Sequence, residues 1–336
     1  MSISLRRICG NASPLLRCVR MLSENGSSGL VKREALNDGA IVRLVLSSPK
    51  KRNALSLAMI QALHKQLREA ESSDKARVII VAAEGPAFSS GHDLKELQSS
   101  EGLEKHKTMF ESHNAMLAHI QNMSLPVIAE VNGIAAAAGC QLVATCDIVI
   151  AGKSSKFSTP GFFEALYCHR LLMLHSVKCI CKVEQRLAST FNDTFPLINV
   201  LNRLFMARVG LFCSTPGIAL ARAVPRKLAL DMLMTADFIT AEQAMKAGLI
   251  SRLVDDDKVH EETIKVAEKI ASMSRAVIAL GKNFFYTQVQ LPVVDAYRMG
   301  ARIMVDNLRL ADAQEGIAAF IGKRTPKWTH TDKKIH

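Results

Sequence analysis

Residues 126–151, PVIAEVNGIAAAAGCQLVATCDIVIA, constrain the fold of this chain more than any other stretch. Residues 127–131 are mostly apolar and β-branched and end at Asn132 and Gly133, which reads as a buried strand followed by a turn. Residues 135–139 then open a helical segment whose small side chains let another backbone or a ligand come close. Strand character returns over 147–150. A helix start among small residues offers free amide donors and a positive dipole end, a favourable place to hold a developing oxyanion. Taken alone, plain packing explains the same pattern better.

The surrounding chain repeats the alternation. Residues 41–46 alternate as a strand, 47–53 form a loop rich in Ser, Pro, Lys and Arg, and Ser56 is a plausible N-cap. Met59, Ile60, Leu63, Leu67 and Ala70 recur at helical spacing. A strand is expected at 78–83, a glycine-bounded loop at 85–93 and a helix around 109–120. Past Ser155 the pattern breaks and resumes near Gly210. Helices are then expected at 226–233, from the capping box Thr240-Ala241-Glu242-Gln243 to Gly248, at 259–273 and at 293–308. A second capping signature, Asp312 to Glu315, precedes a last helix at 316–323. Strands alternating with helices indicate an α/β core with crossover connections, followed by a helical annex.

The chain's 336 residues suffice for a sizeable core, and no apolar run reaches the roughly 18 residues needed to span a bilayer. The net charge of +12 invites a nucleic-acid reading, but a third of that excess is Arg6, Arg7, Arg17 and Arg20. No basic patch interleaved with aromatics appears, so nucleic acid is not an expected partner. The same arginines, with several serines and leucines and no acid before Glu24, fit a mitochondrial presequence over 1–25 and a matrix location. The eight cysteines are scattered and read as thiols of a reducing compartment. Cys168, His169, His175 and Cys179 fit no recognised zinc spacing, and no metal is expected.

Five blocks in order resemble the enoyl-CoA hydratase/isomerase (crotonase) superfamily: SPKKRNAL (48–55), AFSSGHDLKEL (87–97), the 126–151 stretch, ITAEQAMKAGLISRLV (239–254) and QEGIAAFIGKRTPKW (314–328). The resemblance implies a ClpP-like ββα spiral core over 38–161 and 209–255, and a helical trimerisation region over 256–330. It also implies a trimer or dimer of trimers, no permanently bound cofactor, and a coenzyme A thioester as substrate or ligand. The backbone amides of His92 and Ala138 would form the oxyanion hole, a demand on the backbone that leaves the His92 imidazole without an assigned role. Lys51 and Arg52 would approach the CoA phosphates or pantetheine, and Asp93 and Leu94 the adenine. Phe320 and Lys323 would close over the nucleotide from a neighbouring subunit.

Two departures qualify that reading. The positions of the two glutamates that hydrate a conjugated thioester are Gln141 and Gly161 here. An amide orients a water but takes no proton near neutral pH, and glycine offers no side chain. Nearby acids Glu130 and Glu164 are expected at the surface or an edge. The second departure is residues 162–208, with no counterpart in the family pattern, where the acyl pocket wall should form. They read as a splice-form or gene-model segment, or else a lid or interaction loop. The sequence therefore points to a mitochondrial acyl- or enoyl-CoA-binding protein of fatty-acid metabolism whose hydratase activity is weak or absent. The alternatives are other thioester chemistry, hydrolysis or decarboxylation, driven by the oxyanion hole, and a non-catalytic regulatory or binding protein.

Overall fold

The computed structural model describes residues 29–159 and 211–335. The chain runs β1 (Val31–Leu36), β2 (Ile41–Leu46), α1 (Leu57–Glu71), β3 (Val78–Ala83), β4 (Ala87–Ser89), α2 (Leu103–Asn122), β5 (Val127–Val131), β6 (Ile134–Ala136), α3 (Ala138–Thr145), β7 (Ile148–Gly152) and β8 (Lys156–Ser158). From Ser214 onward come α4 (Ser214–Ala223), α5 (Arg226–Thr235), β9 (Ile239–Thr240), α6 (Ala241–Ala247), β10 (Arg252–Val254), α7 (Val259–Ala271), α8 (Arg275–Gln288), α9 (Val293–Leu308) and α10 (Ala311–Ile321).

Each turn of the core gives one strand to a large sheet, one short strand to a second sheet, and in the first two turns a helix back to the large sheet. The large sheet has the order β1-β2-β3-β5-β7-β10 and the second β4-β6-β8-β9. All pairings from β2 to β10 in the large sheet are parallel, and only the edge strand β1 is antiparallel. Parallel strands covered on both faces read as continuous apolar runs, as in the VIIVAA of β3. One face packs against α1, α2 and α3 through Leu44, Met59, Leu63, Ile79, Met116 and Leu142, among others. The other face meets α7 through Val259, Val266 and Ala267. This is the α/β spiral expected from the sequence.

Ser56 caps α1 by accepting a hydrogen bond from the Met59 amide, and Thr240 and Gln243 form the expected capping box. Residues 31–36, unassigned in sequence, form β1, and three local expectations fail. The 85–93 loop contains β4. Ala135 and Ala136, expected to be helical, lie in β6, paired with Phe157 and Ser158, because the parallel ladder outweighs alanine's helix preference. Asp312 does not cap its own helix, which starts at Ala311. It is fully buried and accepts hydrogen bonds from Ser274 Oγ (2.6 Å), Thr329 N (2.7 Å) and His330 N (2.9 Å), tying the C-terminal segment to the start of α8.

Two ion-pair clusters fix elements to the large sheet. Arg43 on β2 grips Glu130 on β5 through Nη2 (2.7 Å) and Nε (3.2 Å), and His260 Nδ1 lies 3.2 Å from the same carboxylate. Glu130, expected at the surface or an edge, is buried, because an arginine two strands away on the same sheet pairs it. Burial alone would raise its pKa, but hydrogen bonds from His260 and Arg43 outweigh that and hold it below the ordinary value. The second cluster anchors α8. Lys282 Nζ donates to the carbonyls of Ile120 (2.7 Å) and Leu125 (2.8 Å) and to Asp147 Oδ2 (2.7 Å), while Tyr286 donates to Asp147 Oδ1 (2.8 Å).

Because α8 buries no residue of its own, this anchor carries much of its attachment. Lys282→Met should cost about 3–5 kcal/mol in urea unfolding, since it leaves the Asp147 carboxylate unpaired, and a loss below about 1 kcal/mol would contradict the anchoring role. A depressed carboxyl stabilises above its unfolded pKa, 4.5 for glutamate, and that contribution is lost as pH falls through the lower folded value. Glu130→Gln should therefore be less stable at pH 7 and show a shallower loss of stability below pH 4.5 than the parent. Parallel acid limbs would argue against it.

Candidate functional site

The site is built where the β4 segment meets the β6–α3 turn. Gly91 has φ +95°, open to glycine, and a Cβ there would fall 2.8 Å from Ala137 Cβ and 3.3 Å from the Ala138 nitrogen. A Cβ on Gly139 would fall 2.6 Å from the Ser89 carbonyl oxygen. The two segments thus touch backbone to backbone, and the backbone of His92 follows directly on this contact. The small residues at 135–139 serve that approach.

Ala137 pays locally for this geometry. Its φ of 48° and ψ of −119° are rare for a residue with a Cβ, a cost of about 1–3 kcal/mol. The surroundings fix it: its amide donates to Ser158 O (3.0 Å) and its carbonyl accepts from Gln141 N (3.0 Å). The result turns the chain so that Ala138 begins α3, and its amide belongs to the first turn, which has no intrahelical acceptor.

The other arm is held by Asn53, which is fully buried. Its Oδ1 accepts from Ser48 N (2.8 Å), and its Nδ2 donates to Glu84 O (2.8 Å) and Ala87 O (2.9 Å). Ser89 Oγ donates to Asn53 O (2.8 Å) and accepts from Gly91 N (3.2 Å). Leu55 N donates to Gly91 O at 2.7 Å and Ser90 N to Arg52 O at 3.0 Å. Asn53 and Ser89 were not singled out in the sequence. Asn53 stands inside the SPKKRNAL block and Ser89 inside AFSSGHDLKEL, but neither block names the hydrogen bonds these side chains make.

Lys51 and Asp93 come together, with Nζ 3.5 Å from Oδ2, so the 48–53 loop and the start of the 94–97 turn share one edge of the site. Asp93 is buried and caps that turn by accepting from Lys95 N (3.1 Å), and Leu94 is its first residue. Arg52 adopts a left-handed conformation at the end of the preceding turn. Phe320 and Lys323 lie apart from this group: α10 packs against α8 and α9, and Phe320 is 87% exposed. Gly161, Glu164, the 162–208 stretch with its cysteines and histidines, and residues 1–25, expected as a presequence, lie outside the described residues.

Gln141, one turn into α3, is buried, and its Oε1 has no hydrogen-bond partner among the described residues. The His92 side chain is tucked inward. Its Nδ1 lies 3.1 Å from the Leu55 carbonyl, which can only accept, so Nδ1 carries the proton. Burial lowers the His92 pKa, and the Leu55 bond opposes this only in part. His113 of α2 packs edge-to-face on it, ring centroids 4.8 Å apart, and burial, with His92 adding, pushes its pKa down to about 3. Both rings are neutral at pH 7. Sequence reasoning passed over His113, whose one signal is a histidine on the buried face with Met109, Met116 and Ile120. Cys140 beside the site is no nucleophile, since burial pushes its thiol up to about 12.

Comparison with known proteins identifies the family of this fold. The family model Enoyl-CoA hydratase/isomerase matches residues 37–167 and 204–331, leaving 168–203 unmatched between them. The human enoyl-CoA hydratase domain-containing protein 3, mitochondrial, is 46% identical over 290 residues, covering 86% of this chain and 81% of that protein. The Danio rerio protein of the same name is 39% identical over 330 residues, covering 96% and 98%. The crystal structure of the human protein, at 44% identity, superposes with a TM-score of 0.73 over 89% of this chain and all of that one. With the match running through both halves of the spiral core and the C-terminal helices, the chain belongs to the enoyl-CoA hydratase/isomerase family.

Proposed function

We propose that this protein binds an acyl- or enoyl-CoA thioester in the mitochondrion, with the thioester carbonyl between the amides of His92 and Ala138. The observation that carries the reading is the contact of Gly91 with Ala137 and Ala138, too close for a Cβ, which aligns two backbone segments at one point. Amides preorganised in this way polarise a carbonyl without reorganising. The Lys51–Asp93 edge supplies the cation and cap expected along the CoA moiety. Relatives named mitochondrial, together with the basic, acid-free N-terminal stretch, support the location.

Hydration is the chemistry this site is least equipped to perform. Gln141 cannot accept a proton from water near neutral pH, and Gly161 contributes no side chain. Glu130, the one acid on the strand leading into the site, is engaged by Arg43 and His260 on the large sheet. Losing acid–base catalysis is worth about 10²–10⁴-fold per role. The reading is therefore of a protein that binds and polarises a thioester in fatty-acid metabolism and hydrates it weakly or not at all.

A trimer, or a dimer of trimers, belongs to the same proposal. Helix α9 has no buried residue, and Val293, Val294, Tyr297, Met304 and Val305 are all exposed on it, an apolar surface larger than solvent-facing helices normally carry. A neighbouring subunit seated there would bring Phe320 and Lys323 toward a nucleotide.

Titration calorimetry with butyryl-CoA and free CoA, beside a crotonyl-CoA hydration assay, tests the reading. Butyryl-CoA should bind more tightly than CoA, and Gly91→Ala should cost at least about ten-fold in butyryl-CoA affinity by separating the two amides. Crotonyl-CoA should turn over at least about 10²-fold below an efficient enzyme. Rapid hydration would refute the loss of function, and equal affinity for CoA and butyryl-CoA would refute the carbonyl site. Sedimentation returning a monomer would remove the assembly.

A further inference from the structure

Both segments that meet at the site carry backbone strain. Ala137 holds it on one side; Arg52 and Asn53, each with a φ of 51°, hold it on the other. Two consecutive non-glycine residues in the left-handed region are uncommon, and such strain persists where the surroundings over-determine it. Asparagine tolerates this conformation better than most side chains. Here its fully buried amide supplies the constraint: Oδ1 accepts from Ser48 N, and Nδ2 donates to the Glu84 and Ala87 carbonyls. Both Nδ2 hydrogens are engaged in this way, so Asn53 has none to offer a thioester.

The constraint reaches the site by a short path. Residues 52–55, held by Asn53, run beside residues 89–92 and are bonded to them along their length. Ser90 N donates to Arg52 O (3.0 Å), Ser89 Oγ to Asn53 O (2.8 Å), Leu55 N to Gly91 O (2.7 Å) and His92 Nδ1 to Leu55 O (3.1 Å). Leu55 and Ser89 are fully buried, so no water competes for these bonds.

The bond from Leu55 decides the direction of an amide. The carbonyl of Gly91 and the N–H of His92 belong to one planar trans peptide unit, in which the two bonds point oppositely. Fixing Gly91 O on Leu55 N therefore turns the His92 N–H away from Leu55. Ser89 Oγ steadies the preceding unit by accepting from Gly91 N (3.2 Å). The His92 imidazole, bonded to the carbonyl of the same Leu55, braces this residue by its side chain as well.

We propose that Asn53 is the positioning residue of this site: acting through Leu55 and Gly91, with the Ser89 hydroxyl as its second link, it aims the His92 amide at the thioester oxygen. This rests on the thioester reading and adds to it the side chains that make one of the two amides effective. Neither side chain touches the thioester.

The test is difference infrared spectroscopy of the intact chain with butyryl-CoA carrying a heavy-carbon label at its carbonyl, beside calorimetry with butyryl-CoA and CoA. A carbonyl held by aligned donors is polarised, and its stretching band falls below that of the free thioester; the parent should show this fall. Asn53→Asp keeps the acceptor for Ser48 N but sets an oxygen against the Glu84 and Ala87 carbonyls, and should lose at least about half of the fall. Ser89→Ala should lose a comparable share, bind CoA within about three-fold of the parent and bind butyryl-CoA about ten-fold more weakly. Ser89→Cys, whose thiol donates and accepts weakly, should recover part of the fall. The parent's band position retained in Ser89→Ala or in a folded Asn53→Asp, whatever their melting temperatures, would make these residues ordinary supports and overturn the proposal. So would an equal loss of affinity for CoA and butyryl-CoA in Ser89→Ala. Should Asn53→Asp not fold, the two Ser89 variants decide the matter. No fall of the band in the parent would instead remove the thioester reading, and the proposal with it.

Discussion

The site depends on one close approach, the backbone of residues 89–92 against that of 137–139. Neither Gly91 nor Gly139 has room for a Cβ, and Ala137 holds a strained conformation to complete the turn. Strain of this kind persists only where the surroundings over-determine it. Here they do so twice. On one side Ser158 and Gln141 fix Ala137 through the second sheet and α3. On the other, Asn53 and Ser89 fix Gly91 through the 48–53 loop. The second sheet is small, yet it determines where the two amides stand.

The charged clusters serve the frame and leave the site alone. Arg43–Glu130 crosses the face of the large sheet, and Lys282–Asp147 attaches α8 to the loop leading into β5 and to the end of α3. Each buried charge meets opposite charge or carbonyls, the condition under which burial is tolerated. By contrast, the polar atoms around His92, His113 and Gln141 have no partners among the described residues.

The architecture was legible because its signals are local. The run VIIVAA, the 59–60–63–67–70 spacing and the Thr240 capping box each determine an element through short-range chemistry. Ala135 and Ala136 misled because their strand pairing with Phe157 and Ser158 depends on partners twenty-odd residues away. Asp312 misled similarly: a sequence that fits a helix cap was drawn into bonds with Ser274 and residues 329–330. At the site, the glycines and small residues announced a close approach, while Ser89 showed only as a member of the 87–97 block and His113 only as a histidine on the buried face of a helix. Their roles come from what lies beside them in space. Glu130 shows the limit for acids, since nothing near it in sequence names Arg43 as its partner.

The central claim is that the chain retains a working carbonyl site while lacking groups to hydrate what it holds. A crystal structure with butyryl-CoA tests it most directly. The account predicts the thioester oxygen at about 2.7–3.1 Å from both the His92 and Ala138 nitrogens. A thioester bound with its carbonyl away from these two amides, or a chain whose 89–92 and 137–139 segments stand apart, would contradict it.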